Sequence, residues 1–251
     1  MSHDFLELLV DSGNSRLKWG ILRQGRLTPG PPLATAGRIT ETDLARLWGD
    51  LSATPRRVWI ANVAGEQVAA CLRAFVRARW QMEPEFVRPQ AAGFGVINGY
   101  LRPETLGVDR WLALIAVRNR YALPACIADC GTALTVDLID GSGRHLGGLI
   151  CPGLKLMAEA LTQKTAAVRL GAWSGQTEAL GDHTVAAVHL GARQAALGLI
   201  ERTFWQQQKH HPKLCLILTG GDAAELCPKL KVPAQLVPDL VLEGLAVISR
   251  G

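Results

Sequence analysis

Leu8-Leu9-Val10-Asp11-Ser12-Gly13-Asn14-Ser15 and Ile127-Ala128-Asp129-Cys130-Gly131-Thr132-Ala133 are two copies of one pattern. Each is an apolar run, then Asp-x-Gly, then a small polar residue, then a second strand-like run and a turn. Short apolar runs bounded by Gly, Asn and Ser read as buried strands joined by tight turns. A single Asp-x-Gly is an ordinary turn and says little. Two copies in matched positions, one opening each half of the chain, imply a duplicated domain with a boundary near residue 120. Residues 1–120 and 121–251 are therefore expected to be two related halves.

Working outward from the first copy, residues 16–22 resume a strand and Gln24-Gly25 make another turn, so 6–30 form a hairpin and begin a third strand. Leu44, Leu47, Trp48 and Leu51 share one face of a helix over 41–51. A buried strand at 58–63, a helix near 66–78 and a strand at 85–87 follow. Residues 88–107 carry Pro89, Gly93, Gly95, Gly99 and Pro103 and read as a long loop, a feature that inside a compact enzyme is often functional. A strongly apolar helix then runs from Asp109 to about 120.

Beyond the second copy come a strand at 134–139, the hairpin turn Asp140-Gly141-Ser142-Gly143, a strand at 147–151 and a helix near 154–161. A loop over 171–183, a long helix over 184–203 and a strand at 214–218 lead to Thr219-Gly220-Gly221-Asp222. A strand near 236–238 and a helix from 239 close the chain. Alternating strands and helices place the protein in the α/β class.

Such a repeat suits phosphate chemistry. Glycine just past a strand end lets backbone N–H groups approach phosphate oxygens with no side chain in the way. Asn14, Ser15 and Thr132 add donors. A carboxylate there would repel phosphate on its own, so Asp11 and Asp129 make sense as holders of a cation or a water. The third glycine turn, 219–222, allows close backbone approach to a nucleotide's base or ribose. Competing nucleotide signatures are missing: no Gly-x-x-x-x-Gly-Lys-Ser/Thr loop, no Gly-x-Gly-x-x-Gly after the first strand and no protein-kinase set.

Bulk properties narrow the class further. Of 251 residues, 48% are hydrophobic and 20% charged, which fits a folded globular chain and not a disordered one. The first ten residues carry Asp4 and Glu7 and lack a secretory pattern, and no apolar run is long enough to span a bilayer, so a cytoplasmic location is expected. The six cysteines show no zinc-knuckle spacing and read as reduced, mostly buried thiols. The net charge of +5 is spread over scattered arginines without stacked aromatics, which argues for solvated helix faces and against a nucleic-acid platform.

Four segments together resemble the type III pantothenate kinases and the related Bvg accessory factors, within the acetate and sugar kinase, heat-shock chaperone and actin superfamily. They are residues 11–19 (Asp-Ser-Gly-Asn-Ser-Arg-Leu-Lys-Trp), Asn98-Gly99-Tyr100, residues 106–111 (Leu-Gly-Val-Asp-Arg-Trp) and residues 129–133 (Asp-Cys-Gly-Thr-Ala), in that order; Gly147–Gly153 adds a fifth. The resemblance implies two actin/ribonuclease-H-like domains with an ATP cleft between them. It also implies transfer of the ATP γ-phosphoryl group to pantothenate, giving 4'-phosphopantothenate, the first step of coenzyme A biosynthesis.

Carried over by position, Asp11, Ser12, Gly13, Asn14, Ser15, Arg16, Leu17 and Lys18 would bind the nucleotide phosphates, with Thr132 also touching ATP. Asp109 would be the general base. Tyr100, Gly107, Val108, Asp109, Arg110 and Thr184 would bind pantothenate, and Asp129 would hold a monovalent cation (potassium or ammonium), with magnesium accompanying ATP. The family further implies a homodimer with the substrate pocket at the subunit interface.

Plainer roles stand beside these. Asp109 and Thr184 each sit where a helix begins and would serve as N-caps. Lys18 would serve as a strand-surface charge. Cys130 reads as chemically idle, Trp19, Trp111 and Trp173 as packing residues, and His183, His189, His210 and His211 lack metal-ligand spacing. Two other functions fit the same scaffold: a transcriptional accessory protein, and a phosphohydrolase in which water replaces the alcohol.

Overall fold

The computed structural model describes residues 5–35, 37–51, 53–164 and 180–250, with the side chains of 162–164 set aside. Most of the loop expected over 171–183, Trp173 included, lies outside the described residues. The strands and helices, in chain order, are β1 (Leu6–Ser12), β2 (Arg16–Arg23), β3 (Arg26–Pro29), β4 (Leu33–Ala34), α1 (Glu41–Trp48), β5 (Arg57–Asn62), α2 (Glu66–Trp80), β6 (Glu85–Phe86), β7 (Ala92–Gly93), β8 (Val96–Ile97) and α3 (Val108–Arg120). There follow β9 (Ala125–Cys130), β10 (Ala133–Ile139), β11 (His145–Pro152), α4 (Leu154–Lys164), α5 (Thr184–Gln208), β12 (Cys215–Thr219), α6 (Ala223–Leu226), β13 (Ala234–Leu236) and α7 (Leu240–Ile248).

The chain divides into two compact units, Met1–Tyr121 with Asp239–Gly251, and Ala122–Pro238. The C-terminal end does not belong to the second half: α7 packs on α3 and on β1, β2 and β5 of the first unit. Its apolar face has no strand-like period that would have named a partner. The contact is close because residue 244 is glycine; a Cβ there would stand 2.2 Å from the Leu112 carbonyl oxygen. The Tyr121 hydroxyl donates to Glu243 at 2.8 Å across the same pair of helices, and burial, together with this bond, pushes its phenol up to about 12.

Each unit carries the same sheet. The first runs β3-β2-β1-β5-β6, with β4 also on β2, and the second runs β11-β10-β9-β12-β13. In both, an antiparallel meander supplies three strands, and two parallel strands join on the other side of the first. This is the actin/ribonuclease-H-like order, present twice. The duplicated α/β fold expected from the Asp-x-Gly repeat is the fold of this chain.

The strand that carries each Asp-x-Gly is central in its sheet and almost continuously apolar, as burial on both faces demands. On one face of β1, Leu8 and Val10 join Leu17, Leu44, Val58, Ile60 and Leu72 in a core closed by Trp19, Trp48, Phe75 and Trp80. Trp48 lies 5.8 Å from Phe75 and 6.4 Å from both Trp19 and Trp80 between ring centroids. Each such pair is worth about 0.5–1.5 kcal/mol beyond the area it buries. The second core sets Ala196, Leu197, Ile200 and Phe204 of α5 against Leu134, Val136 and Leu138 of β10 and Leu216 and Leu218 of β12.

Local signals explain the helix ends. Thr40 and Asp43 form a capping box ahead of α1, which stops at Trp48 and not at 51 because Gly49 caps it. The helix expected over 66–78 runs on to Trp80, until Gln81 turns left-handed. Residues 108 and 110–117 of α3 are all buried, so the helix is covered on nearly every side and its apolar excess needs no membrane. Among the described residues no helix is long and apolar enough to cross a bilayer.

Candidate active site

At the end of β1 the chain turns through Gly13, whose N–H donates to the Arg16 carbonyl at 3.0 Å, and returns as β2. Register sets Asp11 opposite Lys18 and Ser12 opposite Leu17. Alternation then sorts the eight residues expected to bind nucleotide. Asn14, Ser15 and Arg16 are exposed, and Asp11, Gly13 and Lys18 are half-buried at the strand ends. Ser12 and Leu17 are fully buried, Leu17 inside the aromatic core. Those two side chains point inward, as a side-chain period of two requires of neighbours on opposite arms of the hairpin.

The second copy is more tightly built. β9 ends at Asp129-Cys130, Gly131 donates to the Ala133 carbonyl at 3.1 Å, and β10 departs. Two glycines close on this turn. Gly153 donates to the Thr132 carbonyl at 2.9 Å, and a Cβ on it would lie 2.1 Å from the Gly131 oxygen. Gly220, with φ +94°, would place a Cβ 2.5 Å from both the Asp129 carboxylate and the Cys130 backbone. The N–H of Asp222 reaches the Cys130 carbonyl at 2.9 Å. The late glycine turn therefore sits directly on the strand end that carries Asp129. Three glycine turns thus close around the half-buried Asp129 carboxylate, and the N–H groups of Gly131, Gly153 and Asp222 knit those turns to one another through backbone carbonyls.

Cys130 is buried, and that burial, with Asp129 close by, raises its thiol far above the usual range; Cys126 is likewise pushed up to about 12, chiefly by burial. Neither is a nucleophile at neutral pH. All six cysteines are free, but only these two are buried; the other four are partly accessible, fewer buried than expected.

Asp109 lies in the first turn of α3, not at its cap. Gly107 is the N-cap and makes no side-chain capping bond; the side chain that takes up a first-turn N–H is that of Asp109 itself. A Cβ on Gly107 would stand 2.5 Å from Asp109 Oδ1, which explains the glycine two positions before the acid. Oδ1 accepts from the Arg110 N–H at 2.8 Å. The Arg110 guanidinium is buried and donates to the Tyr100 hydroxyl at 2.6 Å, with its carbon 5.3 Å from the ring centroid. Tyr100, Gly107, Asp109 and Arg110 are thus together, and Val108 between them is buried.

Thr184 is the first residue of α5, and His183 is its N-cap, so the capping role expected for it is not used. It is exposed and lines a cleft of about 760 Å³ with Met157, Leu161, His183, Ala187 and Gly191. Sequence reasoning passed over His145, which is buried with Nε2 2.8 Å from the Asp137 carboxylate. Nothing in the local pattern flagged it. Among the described residues, no group of three or more His, Cys, Asp or Glu side chains could hold a metal ion.

Duplicated actin-like units, glycine-flanked aspartate hairpins and a carboxylate beside an arginine–tyrosine pair define an ATP-dependent phosphotransferase. The sequence profile of type III pantothenate kinases matches residues 7–206. A type III pantothenate kinase of Nitrosococcus oceani is 40% identical over 97% of this chain and 93% of its own, and one of Aromatoleum aromaticum is 38% identical over 97% of both. A solved structure described as a conserved Baf family transcriptional activator of Campylobacter jejuni is 20% identical and superposes with a TM-score of 0.57, covering 97% of this chain and 98% of that one, which shows the shared fold. The chain belongs to the type III pantothenate kinase family. Membership brings ATP, with a divalent metal, and pantothenate as the reactants of the family.

Proposed function

We propose that the protein transfers the γ-phosphoryl group of ATP to the terminal hydroxyl of pantothenate in the cytoplasm, at the entry to coenzyme A synthesis. The observation that carries this reading is Asp109 standing half-buried in the first turn of α3, next to the buried Arg110 that donates to the Tyr100 hydroxyl. Asp109 takes the hydroxyl proton as the oxygen–phosphorus bond forms and the bond to the ADP oxygen breaks. Arg110 and Tyr100 hold pantothenate's polar groups, the Gly107-Val108 backbone lies against it, and Thr184 closes on it. The exposed and half-buried members of residues 11–18 and Thr132 bind ATP. Magnesium bound with ATP would supply charge neutralisation at the phosphoryl oxygens. Six free thiols suit the reducing cytoplasm.

Asp129 is the residue we assign to a monovalent cation. One half-buried carboxylate among turn carbonyls fits a singly charged hard ion, whereas a resident divalent ion would call for more carboxylates. Replacing sodium by potassium at saturating ATP is expected to raise kcat by about tenfold, and Asp129→Asn is expected to abolish that response. Equal rates in the two salts would remove the assignment.

The proposed homodimer forms through the edge of the second sheet. On β11, the outermost strand, Leu149 is 46% exposed and Ile150 62%, and Leu156 and Leu161 of α4 are exposed as well. An uncovered apolar edge is a pairing surface. Ile150→Glu is expected to yield a monomer by light scattering and to lower kcat/KM for pantothenate by about tenfold or more, because interface charges cost several kcal/mol. A wild-type chain that is monomeric at micromolar concentration would end this proposal.

A further inference from the structure

Asn98 sits inside the 88–107 segment, buried, with its amide in full use. Nδ2 donates to the carbonyls of Gln90 and Pro103, each at 3.1 Å, and Oδ1 accepts from the Tyr100 N–H at 3.1 Å. Its own N–H donates to the Ala91 carbonyl at 2.9 Å. One side chain thus ties the entry of the segment to its exit and fixes the backbone at Tyr100 between them. The task needs two donors and an acceptor on a short planar group. Aspartate lacks the donors, and serine has one.

Elsewhere the segment is anchored by the buried Val96 and Leu106, neither of which fixes the backbone at Tyr100. Its regular structure is the two-residue ladder of β7 and β8 and a single 3₁₀ turn over Pro103–Thr105. Helix α3 grips the far end of that ladder, where Arg118 donates to the Gly95 carbonyl at 3.0 Å and Asn119 to the Phe94 carbonyl at 2.8 Å. At its other end α3 presents Arg110 to the Tyr100 hydroxyl. Tyr100 belongs to no strand or helix, so where its ring stands on Arg110 depends on the Asn98 knot.

We propose that Asn98 is a positioning residue for the acceptor site, acting through Tyr100 to set the Tyr100–Arg110 pair. This rests on the reading of that pair as the pantothenate contact. A loop knot that served only stability would weaken every property of the enzyme alike; a positioning residue acts on one substrate and through one partner.

Steady-state kinetics of Asn98→Ala, Tyr100→Phe and the double variant separate the two. Asn98→Ala is expected to lower kcat/KM for pantothenate by about 10- to 100-fold while KM for ATP stays within about twofold, as displacement of a positioning group by an ångström does. In the Tyr100→Phe background the same change is expected to cost less than about a further twofold, since both act on one contact. Should Asn98→Ala fail to fold, Asn98→Leu, which keeps the side-chain bulk and loses all three bonds, carries the same comparison. Effects that multiply, or a KM for ATP that rises with that for pantothenate, overturn the role of Asn98 alone. A Tyr100→Phe enzyme with an unchanged KM for pantothenate overturns the reading of the pair, and this proposal with it.

Discussion

Asp109→Asn is expected to lower kcat for phosphoryl transfer about a thousandfold, within the range that loss of a general base produces. That corresponds to about 4 kcal/mol of transition-state stabilisation. The substitution is nearly isosteric: the amide oxygen can still accept from the Arg110 N–H, and Gly107 still leaves it room. A helix N-terminus favours a carboxylate over a neutral amide by about 0.3–1 kcal/mol, so only a slight loss of stability is expected. ATP affinity, measured by calorimetry, should match the wild type. A variant that keeps a tenth or more of the wild-type rate would mean that the proton leaves by another route.

The second large effect is expected at Gly220→Ala. Its φ of +94° lies outside what an L side chain adopts without strain, and such positions cost about 1–3 kcal/mol. Here the added carbon also meets the Cys130 backbone and the Asp129 carboxylate at 2.5 Å, and backbone cannot swing aside. The turn must move away from the end of β9, carrying the Asp222 N–H off the Cys130 carbonyl. We expect a lower melting temperature and an ATP dissociation constant raised about tenfold or more, since a misplacement of about 1 Å is enough for such losses. Gly141→Ala is the control: nothing lies within 4 Å of a Cβ there, and its effect should stay within about 0.5 kcal/mol with unchanged kinetics. Equal behaviour of the two variants would remove Gly220 from the site.

Much of this was legible before any coordinate. The repeat around Asp11 and Asp129 identified the two hairpins because buried central strands have to be continuously apolar, and because a turn that exposes its amides calls for glycine. The Gly-x-Asp-Arg run marked the head of α3. What stayed hidden has a common cause. The inward turn of Ser12 and Leu17 depends on strand register, a one-residue question that a motif does not answer. Thr184 looked like a cap because a sequence places a helix start only to within a residue or two. The His145–Asp137 pair joins strands through a bulged register, and no local pattern announces it.

From the residues alone came the α/β class, the duplication, the family and the set of chemically competent side chains, all of which rest on local patterning and on motifs contiguous in the chain. Tertiary structure alone decided which of those side chains face outward, that the C-terminal helix returns to the first unit, and that Asn98 knots the loop bearing Tyr100. Each of these is a contact between residues far apart in sequence or a choice between two faces of a strand. Such contacts are selected by the packing of the whole unit, and packing is settled only when all the elements are present together.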